Sequence, residues 1–398
     1  MLLTIMMRPV KPKLVRITTV PVSLHLLLKG QMKFMKEQGF EVIMISSPGK
    51  EAELVEREEE CEMIVLPMER KVSLFKDVQA LIRLTRILKN LEPDIVHTHT
   101  PKAGLLGMLA AYFAQVPARL HTIAGLPWME SKGLRRMILK QMERLTAACA
   151  HYVYPNSSGL YDFLNEEKIS CNGKMKLLGK GSSNGIDCTY FSKDAVAATA
   201  VQVLRTQSKL KEGGWVWIFA GRLVREKGIH ELLYAFTKVQ EQYPDDQLWL
   251  LGNEEPERDP LEGWAIELMQ AHSHIHAWGF QNDVRPFLAA ADVLVFPSYR
   301  EGMPNVPMQA GAMECAMILS DINGCNELVT DGTDGLLVPA KNKELLLEKM
   351  LQLRQQRELR DSFATASRKK IMQNYNRSEV WNHLLQEYKT LLTSKQYS

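Results

Sequence analysis

The feature that most constrains this chain is a regular exchange of short apolar runs with longer amphipathic stretches, carried through twice. In the first half, strand-like segments at 14–20, 41–46, 63–66, 94–99, 119–123 and 151–155 alternate with helical patterns at 24–36, 74–90, 103–113 and 134–148. In the second half, segments at 215–220, 247–251, 274–278, 293–296, 316–319 and 335–338 alternate with helical patterns at 229–242, 263–271, 283–290, 306–313 and 343–353. The helical stretches repeat apolar residues at intervals of three and four, while the short runs are β-branched and nearly continuous. Alternation of this kind implies a parallel sheet covered by helices on both faces. The expected class is therefore α/β, with two doubly wound, Rossmann-like domains. A chain of 398 residues with 45% hydrophobic side chains can bury two such cores and is too long for one.

The boundary is expected at Lys180-Gly181-Ser182-Ser183-Asn184-Gly185-Ile186-Asp187, where small and turn-forming residues interrupt both periodicities. This gives domains at 1–185 and 186–377, with a tail at 378–398 in which Trp381, Leu384, Leu385, Tyr388, Leu391 and Leu392 share one helical face. The net charge of +3 is small and spread along the chain, which gives no electrostatic case for nucleic acid as a partner. The six cysteines lie far apart, with no C-x-x-C pair, as expected of reduced thiols in a cytoplasm. The apolar segment 1–7 is shorter than a signal-peptide core and reads as an extension, and the apolar stretch 104–114 is too short to span a bilayer.

Two loops carry the chemistry. The run 293–296 ends at Pro297 and opens into 298–317, SYREGMPNVPMQAGAMECAM, a polar loop that leads into a helix near Asn305. Glu301 in that loop can accept hydrogen bonds from sugar hydroxyls, and the backbone N–H groups of Met303, Asn305 and Val306 can meet a phosphate or sugar. The second loop, Gly221-Arg222-Leu223-Val224-Arg225-Glu226-Lys227-Gly228, follows the run 215–220. Arg222 offers a planar fork, Lys227 a mobile charge, and the helix start at Gly228 further N–H donors for a diphosphate. Read alone, this second loop is more often an ordinary solvated connection; it gains meaning in combination with Glu301.

The stretch 298–317 resembles the Glu-x7-Glu region of the retaining glycosyltransferases of family 4, which use nucleotide sugars and have the two-domain GT-B architecture. Glu301 matches the first glutamate; the second position is Gln309, whose amide still offers a ribose diol one acceptor and one donor. The resemblance implies phosphate binding by Arg222 and Lys227, a base contact at Gly279 and Phe280, and a histidine, His121, that orients a hydroxyl of the donor sugar. Phe280 equally fits a core position, and His121 equally fits a structural one. Asn184-Gly185-Ile186-Asp187 is similar to the family's interdomain segment, and the tail is expected to return to the first domain as a helix. The glycine-rich loop that many relatives carry after the first strand is absent. Backbone donors near Ser23 are the expected substitute.

The implied reaction moves a sugar, with a UDP-sugar as substrate, onto a saccharide or lipid-linked saccharide in bacterial surface polysaccharide assembly, with retention and without a cofactor. Alternatives on the same scaffold are a UDP-sugar epimerase and a non-catalytic nucleotide-sugar-binding partner. No Asp-x-Asp motif occurs, Asp245-Asp246 reads as a turn, and no metal site is expected; His97 and His99 share a strand face but lack an evident third ligand. In the helix 134–145, Leu134, Met137, Ile138, Met142 and Leu145 form a stripe, with Arg135, Arg136, Lys140 and Arg144 largely off it. That helix reads as one packed on its sheet through the stripe, or as one lying on anionic lipid from the cytoplasmic side.

Overall fold

The computed structural model describes residues 11–69, 73–126, 128, 129, 131–169, 173–257 and 259–394; the segment 1–7 and Cys171 lie outside them. The described residues form two compact units, the first from 11–156, 160–184 and 380–394, the second from 157–159 and 185–379. In the first unit the parallel strands β1 (Lys13–Ile17), β2 (Glu41–Ser46), β3 (Glu62–Val65), β4 (Ile95–His99), β5 (Ala118–Ile123) and β6 (Tyr152–Pro155) lie in the order β3-β2-β1-β4-β5-β6. In the second, β7 (Val216–Ala220), β8 (Gln247–Leu251), β9 (Ile275–Gly279), β10 (Val293–Phe296), β11 (Ala316–Ser320) and β12 (Leu336–Val338) lie in the order β12-β11-β10-β7-β8-β9. Each chain segment thus starts in the middle of its sheet, builds to one side, then crosses back to build the other. The reversal leaves a crevice outside the carboxyl ends of the two middle strands, β1 with β4 and β7 with β10.

Burial explains why these runs are strands. Every residue of β4, β7, β8, β10 and β11 is buried, as it must be in a parallel sheet covered on both faces. The pattern expected as one helix at 24–36 is instead two, Pro21–Leu27 and Gln31–Glu37, broken at Gly30, whose φ is 82°. The second helix has no cap of its own. Glu59, from the helix Ala52–Glu59, accepts from the N–H groups of Gly30 (2.5 Å), Met32 (3.1 Å) and Lys33 (3.0 Å) in its place. A cap supplied from so far along the chain leaves no local signal. The helix Arg357–Asn374 was also not anticipated, because its buried stripe is only Phe363, Ser367 and Ile371.

The tail helix, Arg377–Thr393, buries Leu384, Leu385, Tyr388 and Leu391 in the first unit, while Leu392 faces outward. Tyr388 reaches a buried polar cluster in which the Arg16 guanidinium meets the Tyr388 hydroxyl, His97 Nδ1 (2.9 Å), His99 Nε2 and the Gln31 carbonyl oxygen (2.6 Å). Burial, then the charge of Arg16, holds both histidines well below their usual pKa, so they remain neutral partners of the cation. This is a structural role for His97 and His99. Asn184 is structural as well. Its side chain accepts from Gln31 Nε2 (3.2 Å) and Trp381 Nε1 (2.6 Å) and donates to the Lys29 carbonyl (3.1 Å), joining the Gly30 turn to the tail helix.

Two further expectations change. Asp246 is more than a turn residue: fully buried, it accepts from the Trp215 N–H (2.9 Å), the Trp217 indole (3.0 Å) and Arg354 Nε (2.9 Å). The basic helix, Gly133–Cys149, does not pack through its apolar stripe; Leu134, Met137, Ile138 and Leu145 are 67, 55, 49 and 45% exposed. The face turned inward carries Glu143, Thr146, Ala147 and Cys149 instead. Small side chains there allow close approach to the helix Pro101–Phe113 and the sheet.

Candidate active site

The second unit gathers its site on the two loops that leave β7 and β10. These strands are neighbours, with Val293 opposite Trp217 and Leu294 opposite Ile218, so the loops emerge side by side. The Tyr299 N–H donates to the Glu226 carbonyl (2.8 Å) and ties one loop to the other. Gly228 makes the junction possible: at φ 71° it opens the helix Ile229–Gln242, and an added Cβ would lie 2.2 Å from the Pro297 carbonyl oxygen. No larger residue fits this approach without displacement.

Lys227 and Glu301, named on separate loops from sequence, meet directly in an ion pair at Oε1, where both side chains are largely shielded at 13 and 14% exposure. Ser298 Oγ donates to the same Glu301 oxygen (2.8 Å), and Asn323 Nδ2 donates to the carbonyls of Glu301 and Gly302 (both 3.2 Å). These two supports were missed. The Asn323-Gly324 turn dipeptide was a legible signal, but nothing in the sequence says which loop it braces.

Arg222 is also paired. Its guanidinium donates to Glu255 (2.9 Å) and Glu226 (2.6 Å), and Glu226 accepts in turn from Arg300 (2.8 Å). Burial alone would raise the Glu226 pKa, but the hydrogen bonds and charge of Arg300, then of Arg222, outweigh it and hold the carboxyl below its usual range. Arg222 is 41% exposed, so solvent screens its pairs and they are readily exchanged. Both cations are thus kept in place by carboxylates.

The helix Asn305–Ala312 begins beside this cluster, with Pro304 at its N-cap and no side chain closing its first turn. The N–H groups of Asn305 and Val306 therefore remain donors at a positive helix end. Met303 is buried against the loop, and Gln309, one turn on from Asn305, makes no side-chain hydrogen bond among the described residues. Gly279 ends β9 at φ 66°. Phe280 follows it at 63% exposure, which rules out the core position, and its N–H already donates to Asn253 Oδ1 (3.2 Å). The ring is thus exposed, while the amide is already engaged.

His121 belongs to the first unit and is 2% exposed. Its Nδ1 pairs with Thr98 Oγ1 (2.8 Å), its Nε2 lies 3.5 Å from Glu143 Oε1, and Gly104 packs on the ring, where a Cβ would lie 2.4 Å from Cε1. Both nitrogens face protein groups, so the expected direct contact with a sugar hydroxyl is not available in this arrangement. The Ser23 N–H is likewise committed, to the Val20 carbonyl (3.1 Å), and is no substitute for a glycine-rich loop. Among the described residues no three His, Cys, Asp or Glu side chains converge as metal ligands.

Residues 201–370 match the family model of group 1 glycosyl transferases, and residues 19–157 match the glycosyl transferase 4-like model. The chain is 30% identical over 380 residues to the capsular polysaccharide biosynthesis glycosyltransferase CapM of Staphylococcus aureus, covering 96% of this chain and 97% of that protein. It is 29% identical over 313 residues to the UDP-Gal:alpha-D-GlcNAc-diphosphoundecaprenol alpha-1,3-galactosyltransferase of Escherichia coli, covering 77% of this chain and 78% of that one. Among solved structures, Anabaena HepE in complex with UDP and glucose superposes with a TM-score of 0.79 at 16% identity, over 95% of this chain and 100% of that chain. At that identity the likeness bears on fold.

Proposed function

Because the chain belongs to the GT-B glycosyltransferases of the group 1 and family 4-like type, we propose that it moves a sugar from a UDP-sugar to a lipid-linked saccharide, with retention of configuration, during assembly of a bacterial surface polysaccharide. Membership sets aside the epimerase and the non-catalytic alternatives. The Escherichia coli relative's name specifies a UDP-galactose donor and a diphosphoundecaprenol-linked acceptor, and the Staphylococcus aureus relative's name specifies capsule synthesis. The observation that carries the reading for this chain is the Lys227–Glu301 pair, beside the open first turn of Asn305–Ala312 at the reversal point of the second sheet.

In this reading the departing nucleotide diphosphate gains charge as the glycosidic bond breaks. When the donor binds, before that bond breaks, Lys227 turns from Glu301 to a phosphate oxygen, and Arg222 exchanges Glu255 or Glu226 for another. Preorganised donors of this kind stabilise the transition state without reorganising at the moment of reaction. Glu301, relieved of its cation, accepts from a hydroxyl of the transferred sugar. The N–H groups near Met303, Asn305 and Val306 bind phosphate or sugar, Gln309 holds the ribose diol, and Gly279 and Phe280 border the base. Retention without a protein nucleophile leaves the phosphate to take the acceptor proton on the same face of the donor sugar. No metal is assigned a part, since the cations already oppose the phosphate charge.

The exposed apolar stripe of Gly133–Cys149, with Leu74, Phe75, Val78 and Ile82 exposed on Leu74–Leu91, supports contact with the surface of an anionic membrane, where such an acceptor resides. No helix among the described residues is long and apolar enough to cross a bilayer. The test is thermal stability with UDP, GDP, ADP and CMP, on wild type and Lys227→Ala, followed by turnover of UDP-sugars with EDTA present. Selective UDP stabilisation of about 2.7 kcal/mol at a hundredfold excess over Kd, lost in the variant, is expected. No response to any nucleotide would remove the donor site.

A further inference from the structure

The strand order of the second sheet sets the loops after β10, β7, β8 and β9 side by side at its carboxyl edge. The first two carry the charged cluster, and β9 stands two strands from β7, about 10 Å away at the usual strand spacing. One ribose spans such a gap between a diphosphate and its base. Leu251 pairs with Gly279, and the Gly252 N–H donates to the Gly279 carbonyl (2.8 Å), so the loops after β8 and β9 leave the sheet together. Asn253 stands in the first of them. Its backbone carbonyl accepts from the N–H of Leu223 (2.9 Å), the neighbour of Arg222, and its side-chain Oδ1 accepts from the Phe280 N–H (3.2 Å).

The bond from Phe280 takes up the backbone N–H that was expected to meet a base. It also fixes which way the Asn253 amide faces, because only the oxygen of an amide can accept from an N–H. Asn253 is exposed, and among the described residues its Nδ2 makes no hydrogen bond. Oδ1 keeps a second lone pair. The side chain therefore presents a donor, Nδ2, beside an acceptor, Oδ1, in a set order, next to the loop that carries Arg222.

We infer that Asn253 reads the base of the donor nucleotide and selects uracil over cytosine. Uracil presents O4 as an acceptor beside N3–H as a donor, so Nδ2 donates to O4 while N3–H donates to Oδ1. Cytosine presents the reverse, an N4 amino donor beside N3 as an acceptor. To meet cytosine the amide must turn over, which breaks the bond from Phe280 and sets an NH2 group against that N–H. A donor left facing a donor loses its hydrogen bond without replacement. This inference rests on the donor-site reading above and adds to it the residue that chooses the base, since the phosphate contacts of Arg222 and Lys227 are common to every nucleoside diphosphate.

The experiment measures Kd for UDP and for CDP by calorimetry on the full chain, on Asn253→Asp and on Lys227→Ala. Wild type is expected to bind UDP about ten- to a hundredfold more tightly than CDP, the worth of one to two hydrogen bonds. In Asn253→Asp a carboxylate oxygen still accepts from the Phe280 N–H, so the loop keeps its brace, but the outward donor becomes an acceptor. Each base then makes one good contact and one poor one, and the two Kd values come within about threefold of each other. Lys227→Ala weakens both nucleotides alike and keeps their ratio. Equal binding of UDP and CDP by wild type would overturn the inference and leave the donor site standing. A UDP preference retained in Asn253→Asp would do the same and reduce Asn253 to a brace for the loop after β9. Binding of neither nucleotide by wild type would remove the donor site, and the inference with it.

Discussion

At the carboxyl ends of β7 and β10 the second unit gathers Arg222, Glu226, Lys227, Arg300 and Glu301 into a charged cluster. At the ends of β1 and β4 the first unit gathers Thr19 and Thr100 beside an apolar cavity walled by Leu134, Ile138 and Met142. The strand order is the same in both sheets, so the scaffold places a crevice at the same point in each and the loops decide its chemistry. Charge suits a diphosphate, whose own charge must be met. Apolar walls with few polar atoms suit a largely uncharged ligand.

The contrast extends beneath the sites, where each unit is held by a buried polar hub, and the sharpest perturbations strike there. Asp246→Ala, which strands Arg354 and the Trp217 indole, is expected to cost about 3–5 kcal/mol in denaturant unfolding. Tyr388→Ala removes a fully buried ring from the first unit at a similar cost of about 3–5 kcal/mol. If either change proves neutral, the hubs are not what hold the units together. Lys227→Ala should lower kcat about a hundred- to thousandfold while leaving the melting temperature of the nucleotide-free protein nearly unchanged. A comparable loss of both would make Lys227 a structural residue and would blur the distinction between the two crevices.

Smaller effects test the edges of the comparison. Gly228→Ala, forced to φ 71° against the Pro297 carbonyl, is expected to cost about 1–3 kcal/mol and to weaken UDP binding. Ile138→Ser removes an exposed apolar side chain and should reduce sedimentation with anionic vesicles severalfold without affecting UDP binding; equal sedimentation with anionic and neutral vesicles would remove the membrane contact. Gln309→Glu should change turnover less than about threefold, because amide and carboxylate both accept from a ribose hydroxyl. A large loss there would show that position 309 does not reach the ribose.

Much of the second unit was legible because its signals are local. The run Val293–Phe296 and the loop carrying Glu301 are contiguous, as are Val216–Ala220 and the loop carrying Lys227. The first unit was read less well. The stripe on Gly133–Cys149 has helical spacing whether it faces core or solvent, so periodicity favoured the wrong face. His121 matched a donor-contacting pattern, yet in the folded chain its ring lies between Thr98 and Glu143.

The sequence by itself determined the α/β class, the doubling of the sheet and the residues of the charged loops, since apolar periodicity and turn chemistry act over a few residues. Only the tertiary structure decided that Lys227 meets Glu301, that Glu59 caps a helix it does not belong to, and that Arg354 donates to the buried Asp246. Each of these joins residues far apart in the chain, and such contacts depend on how strands are ordered and helices rotated, which no local pattern encodes.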